Sequence, residues 1–314
     1  MNRFRKILFI ADGSSGETAA LEKILGLARD SKASVCLMDV VEPYPDKRFL
    51  RAGLARMSSL HTQMVKARKA ELKDLLARCR KDNTRPRSRV VVREGKAHVE
   101  IIRQVIEGEH DLVVKVSSGN PRINGMRLGA LDMSLLRKCP CPVLVMKPAR
   151  RINHSRILAA VDLTHLPEDE GNLDREIMDL ASALAVMEES KLHLLHAWHM
   201  PYENIMEGEA RVKLYKTVPR MLRELRAVEN RHLKQIASLY PEANPQIHMI
   251  KGVPEKVIPA FAEKKKVDLI VMGTLARAGV EGLLIGNTAE KILSRIDCSV
   301  LALKPEGFVS PITP

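Results

Sequence analysis

The sequence predicts two tandem α/β domains, each a five-stranded, parallel, doubly wound sheet. Three observations predict it. Residues 95–148 lie on residues 252–305 without a gap, at a constant offset of 157 positions (252 − 95 = 157), so that Gly129 meets Gly286 and Cys141 meets Cys298. Short, near-continuous Val/Ile/Leu runs alternate with helical segments, the pattern of parallel strands covered on both faces. The length of 314 residues, 45% of them hydrophobic, suffices for two cores of roughly 150 residues each. A repeat this long exceeds a solenoid unit and suits a domain.

The elements follow in the same order in both halves. Apolar runs at 7–11 and 157–161 end at Asp12 and Asp162 and read as first strands. Helical patterns at 17–29 and 173–187 lead to second strands at 34–40 and 191–198. Long helices are expected at about 52–81 and 210–239, the second interrupted or kinked near Pro219. Third strands at 89–93 and 247–251 precede helices at 98–107 and 255–264. Fourth strands at 112–116 and 269–273 lead through a loop to helices at about 128–138 and 285–295, and final strands at 143–147 and 300–304 close each unit. Pro148 and the arginines after it break both periods, which divides the chain into domains 1–150 and 151–305 and a tail, 306–314. The final strands are apolar sheet edges, a pairing hazard unless covered. Pairing them with each other would make a pseudo-dimer within one chain.

Net charge is +13 with pI about 9.6, and much of the excess falls between Arg48 and Arg93. Aromatic residues are 3% of the chain, and the basic segment offers no stacking platform. A solvated helix face is therefore expected there rather than a nucleic-acid surface. No run of 18 apolar residues spans a membrane, and the first apolar run is too short for a secretory signal. Five cysteines without a regular framework fit reduced thiols, so a cytoplasmic protein is expected.

In doubly wound sheets, ligands sit beyond the carboxyl ends of the strands, where strand order reverses. In the second half, strand four runs into a segment carrying Gly273, Gly279, Gly282 and Gly286 before a helix. Glycines let backbone approach a phosphate, and the first N–H groups of a helix attract anions. Thr288 is placed to cap that helix, and Arg277 to supply a positive charge. A glycine-rich turn without a ligand is an equal reading of these residues alone.

The same segment resembles the universal stress protein family. That family carries a glycine, two residues, a second glycine, nine residues, then glycine followed by Ser or Thr. Gly273 and Gly286 match; Ala276 replaces the second glycine, and Asn287 stands where Ser or Thr is usual, with Thr288 next. With the duplication and the run from His110 to Lys115, the whole chain is similar to the tandem type. The resemblance implies a Rossmann-like, adenine nucleotide alpha hydrolase-like fold. Its nucleotide-binding members place adenosine at positions that here are Asp162 and Ala197, and phosphates at Gly273, Thr274, Gly286, Asn287 and Thr288. ATP in the second domain follows as an expectation, with no metal beyond the Mg²⁺ that accompanies it. If position 276 needs positive φ, alanine costs about 1–2 kcal/mol there. In the first half the aligned residues are Val116, Gly119, Gly129 and Ala130, and no ATP is expected.

Lys115 aligns with Met272, and Asp12 is its expected neighbour across the sheet. A lysine in an apolar strand is costly unless paired, so an ion pair filling the first crevice is expected, against snorkelling to the rim. His193, His196 and His199 are dense enough for a metal, but His193 and His196 face opposite sides of a strand. Cys139 and Cys141 lack usual ligand spacing and read as core thiols. Ser14 and Ser15 read as helix caps rather than nucleophiles. The resulting expectation is a stress-response binding protein acting through a small ligand and protein partners, as an internal pseudo-dimer and open to homodimerisation. A weak ATPase, a pocket for a different small molecule, and nucleic-acid binding are the alternatives.

Overall fold

The computed structural model describes residues 4–42, 55–80, 86–118, 128–149, 152–163, 173–199, 209–274 and 285–313. The first half runs β1 (Lys6–Ile10), α1 (Glu17–Asp30), β2 (Ser34–Val41), α2 (Ala55–Cys79), β3 (Ser88–Glu94), α3 (Ala97–Gly108), β4 (Leu112–Val116), α4 (Ala130–Lys138) and β5 (Val143–Met146). The second runs β6 (Arg156–Val161), α5 (Leu173–Met187), β7 (Lys191–Trp198), α6 (Glu209–Ser238), β8 (Gln246–Lys251), α7 (Pro254–Lys265), β9 (Leu269–Gly273), α8 (Asn287–Leu293) and β10 (Ser299–Leu303). The helix α6 is continuous across Pro219, so the expected interruption is absent. One missing N–H removes one bond from a helix of 30 residues, and turns on either side hold it.

All ten strands form one sheet, ordered β3-β2-β1-β4-β5-β10-β9-β6-β7-β8. Pairing is parallel within each half and antiparallel only at β5 and β10. Alternate residues face two helical layers. Ile7, Phe9, Val35 and Leu37 pack with Leu21, Ile24 and Leu72 on one side. Leu8, Ile10 and Met38 pack with Ile101, Ile102 and Leu135 on the other. Each such side chain contributes about 1.5–3 kcal/mol on burial.

The two halves repeat each other down to backbone torsions. Lys32 and Glu189, 157 apart, take φ of 57° and 52°; Gly95 and Gly252 take 145° and 142°. Glycine is needed at the latter pair, because a Cβ would come within 2.8 Å of Glu100 and of Val257, which are also duplicates of one another.

The seam register is Val143 to Ala302, Leu144 to Leu301 and Val145 to Val300. Leu144 and Leu301 are duplicate positions, so a pseudo-twofold axis passes between them. Lys147 Nζ lies 2.7 Å from Asp297 Oδ1 across the seam, Lys147 N–H donates to Ser299 Oγ at 3.0 Å, and Arg137 pairs with Glu290. On the opposite face, Lys23 of α1 reaches Glu188, just beyond α5. His154 N–H donates to Glu188 Oε2 at 3.1 Å, with the His154 ring Nδ1 3.2 Å from Oε1. The tail folds back, Arg103 donating to the Thr313 carbonyl at 3.4 Å.

Candidate functional site

Strand order reverses between β1 and β4 and again between β6 and β9, so each half has one crevice above those strand ends. Register sets Ile10 beside Lys115 and Ala160 beside Met272.

The first crevice holds its own charges. Lys115 is fully buried, its Nζ 2.9 Å from Asp12 Oδ2 and 3.0 Å from Asp132 Oδ1. The Asp132 contact is one of charge rather than an aligned hydrogen bond. Lys115 also donates to the Val116 carbonyl at 2.8 Å. Asp132 Oδ2 accepts the Gly129 N–H at 2.7 Å and the Ser117 hydroxyl at 3.1 Å. Asp132 is the third residue of α4, so a carboxylate sits on the helix start, where an anion is favoured. The expected pair of Lys115 and Asp12 is present, and Asp132 completes it. The aligned residues carried that signal, since Lys115 and Asp132 together stand against Met272 and Ala289.

In the second crevice, Asp162 is exposed just past β6, and Ala197 is buried in β7, its backbone paired with Ile250. Gly273 ends β9, and Gly286 is the N-cap of α8, so Thr288 does not cap. Asn287 and Thr288, the first residues of α8, are exposed. Thr274 is turned inward: its hydroxyl and its N–H both donate to the Leu303 carbonyl, at 3.1 and 3.0 Å. The Gly286 N–H donates to the Thr274 carbonyl at 2.8 Å and is therefore occupied. Ala276 and Arg277 lie outside the described residues.

Asp174 supports the same crevice, its Oδ1 accepting the Asp162 N–H at 2.9 Å. Its duplicate Glu17 accepts the Gly13 N–H at 2.8 Å in the first half. Burial raises the Asp174 carboxyl to about 7; the hydrogen bond from Asp162 lowers it in part, and the Asp162 charge adds to the rise. A raised carboxyl binds its proton more tightly when folded, so its stabilising contribution is complete below about pH 4 and is lost as pH rises through 7. Asp174→Asn keeps the acceptor and removes the charge. Its stability relative to the parent should grow by on the order of 2–3 kcal/mol between pH 5 and pH 8 in urea titrations. An unchanged difference would contradict this.

A second device braces the carboxyl end of the first strand in each half. In the first half, Arg68 pairs with Asp39 at 2.6 Å and donates to the Ala11 carbonyl at 2.8 Å. In the second, the His196 ring Nδ1 lies 3.2 Å from the Val161 carbonyl and its Nε2 lies 3.8 Å from Glu229 Oε2. Acid and base have exchanged places between strand and helix. His193 faces the other layer, 3.0 Å from His248, and burial lowers it to about 4, helped by the charges of His248 and Lys265. Among the described residues, no three His, Cys, Asp or Glu side chains converge as a metal set. Cys139 and Cys141 approach to 3.6 Å without a disulfide. Ser14 and Ser15 do not cap α1, whose N-cap is Gly16. No described helix is long and apolar enough to cross a membrane.

Duplicated doubly wound units, each with an acid just beyond its first strand and the second with a glycine at either end of its fourth-strand loop, define a tandem Rossmann-like α/β protein. The universal stress protein family profile matches residues 3–147 and 154–304, and the chain belongs to that family. It is 30% identical over 227 residues to universal stress protein E of Photorhabdus laumondii, spanning 71% of this chain and 70% of that one. It is 25% identical over 323 residues to a universal stress protein E homolog of Haemophilus influenzae, spanning 96% and 98%. A solved putative universal stress protein from Pseudomonas aeruginosa superposes with a TM-score of 0.67 at 25% identity, over 97% of this chain and 95% of that chain.

Proposed function

We propose that this chain is a stress-response binding protein whose second domain, residues 151–305, takes an adenine nucleotide, while residues 1–150 form a ligand-free scaffold. One observation carries the reading. Lys115 and Asp132 fill the first crevice with a buried cation and anion, and the duplicate positions carry Met272 and Ala289. The second crevice thus keeps the acid, Asp162, and the glycine, Gly286, without the internal charges that occupy its twin. Thr274 supports this site through its backbone path, with its hydroxyl committed to Leu303. Asn287 and Thr288 are the side chains in reach of a phosphate, and Mg²⁺ enters with the nucleotide. Occupancy is read by protein partners through the segment joining β9 to α8.

Calorimetric titration of the full chain with ATP at high salt, which suppresses purely charge-driven phosphate contacts, should show one site. Gly286→Val places a branched side chain at the start of α8, its Cβ 3.4 Å from the Thr274 carbonyl, and should abolish binding, with the melting temperature checking that the fold is kept. Asp162→Ala should weaken it by about tenfold or more. Phosphate release in the same samples separates binding from turnover. No heat with ATP, ADP or AMP at millimolar concentration would remove the nucleotide from the reading.

A further inference from the structure

At the amino-terminal end of the first-half sheet, opposite the crevices, lies an open groove of about 530 Å³. It is bounded by the end of α1 and the segments leading into β1, β2 and β3. Five of its lining residues are cationic: Arg5, Lys6, Arg29, Lys32 and Arg87. Nearby acids offset only part of this charge. Lys6 Nζ pairs with Glu109 at 2.7 Å and Arg29 Nε with Asp30 at 3.0 Å, both pairs exposed and therefore weak. Asp111 is engaged by the backbone N–H groups of Arg5 and Lys6, at 2.6 and 3.0 Å. For the side chains of Arg5, Lys32 and Arg87, no partner is present among the described residues.

The duplication supplies an internal control. Strand register sets Lys6 against Arg156 and Ser34 against Lys191, and the constant offset sets Arg29, Lys32 and Arg87 against Val186, Glu189 and Asn244. The same backbone thus carries five bases in one copy. In the other it carries two, Arg156 and Lys191, against one acid, Glu189. The left-handed turn at Lys32 is kept at Glu189, so the fold does not require a base there. The negative end of α1 accounts for Arg29 and Lys32, but not for Arg5, Lys6 or Arg87, which lie outside that helix. Gathering like charges around one concavity is unfavourable without an anion to bind.

We propose that this groove binds a small oligophosphate, held by charge-assisted contacts from Arg5, Arg29, Lys32 and Arg87. The volume suits a compact ligand rather than a polymer. Among the described residues no aromatic ring lines the groove to stack a base, and the phosphates themselves are what it recognises. This site is separate from the nucleotide crevice and does not depend on it.

The test is calorimetric titration of the full chain with inorganic tripolyphosphate at two salt concentrations. The parent should bind, with affinity falling steeply as salt rises. Lys32→Glu with Arg87→Asn installs the residues of the second copy and should weaken binding at least about tenfold, with the melting temperature held. Gly286→Val should leave unchanged the salt-sensitive tripolyphosphate binding that the double variant loses. Equal affinity in parent and double variant would overturn the proposal. So would loss of binding in Gly286→Val alone, which would move the anion to the crevice. A single-stranded oligonucleotide that binds more than tenfold tighter than tripolyphosphate, and is lost in the double variant, would replace the small ligand with a nucleic-acid backbone.

Discussion

Lys115→Met should destabilise the first half by about 3–5 kcal/mol, and adding Asp132→Ala should return most of that loss. The single change strands Asp132, fully buried, with its cation gone and only the Gly129 N–H and the Ser117 hydroxyl left on one oxygen. Desolvating a pair of charges roughly cancels their attraction, whereas leaving one of them alone in the interior is a large net cost. The double variant has the residues that the second copy tolerates at the same places, Met272 and Ala289. Denaturant unfolding of parent, single and double variants measures the effect. A single variant as stable as the parent would show that Asp132 finds water or its proton without cost. A double variant no better than the single would show that the pair also fixes the packing of α4.

Glu188→Gln should cost about 3 kcal/mol at pH 7, and the difference should fall by more than half at pH 3. Burial on its own would raise this carboxyl, but the hydrogen bonds and charges of His154 and Lys23 outweigh it and hold it at about 2. A depressed carboxyl stabilises the folded chain above its unfolded value, near 4.5, and that contribution is lost as pH falls toward 2. Glutamine keeps the shape and removes the charge, so parent and variant should converge in acid. The contact matters because Lys23 and Glu188 belong to different halves, and His154 lies in the segment between them. Urea unfolding at the two pH values decides it; a difference that does not change with pH would assign the loss to packing.

Most of the fold was legible because parallel strands buried on both faces leave apolar runs, as in 143–146 and 269–273. The ion pair of Lys115 and Asp12 was legible for the opposite reason: a charge inside such a run demands a partner. Asp132 left a trace only in its change to Ala289 alongside that of Lys115 to Met272; Asp174 and Glu229 left none, because each acts from a helix that gives no sign of what it meets across the sheet. Thr274 fits the family pattern, yet its hydroxyl serves the last carbonyl of β10, a need set by strand ends and invisible in one dimension. Pro219 does not interrupt α6 because propensity describes an isolated helix, whereas α6 leans on the sheet through Leu233 and Ile236.

The antiparallel junction at Leu144 and Leu301 has a consequence for assembly. An association between separate molecules would dissolve on dilution; here the covalent link keeps both partners at a high effective concentration whatever the expression level. The surface consumed at that junction is also withdrawn from other copies. What remains at the rims of the ten-stranded sheet are β3 and β8, with Arg89, Arg93 and Lys251 among their residues. Charged side chains along these rims, Arg93 already paired with Glu107, oppose edge-to-edge pairing with another copy.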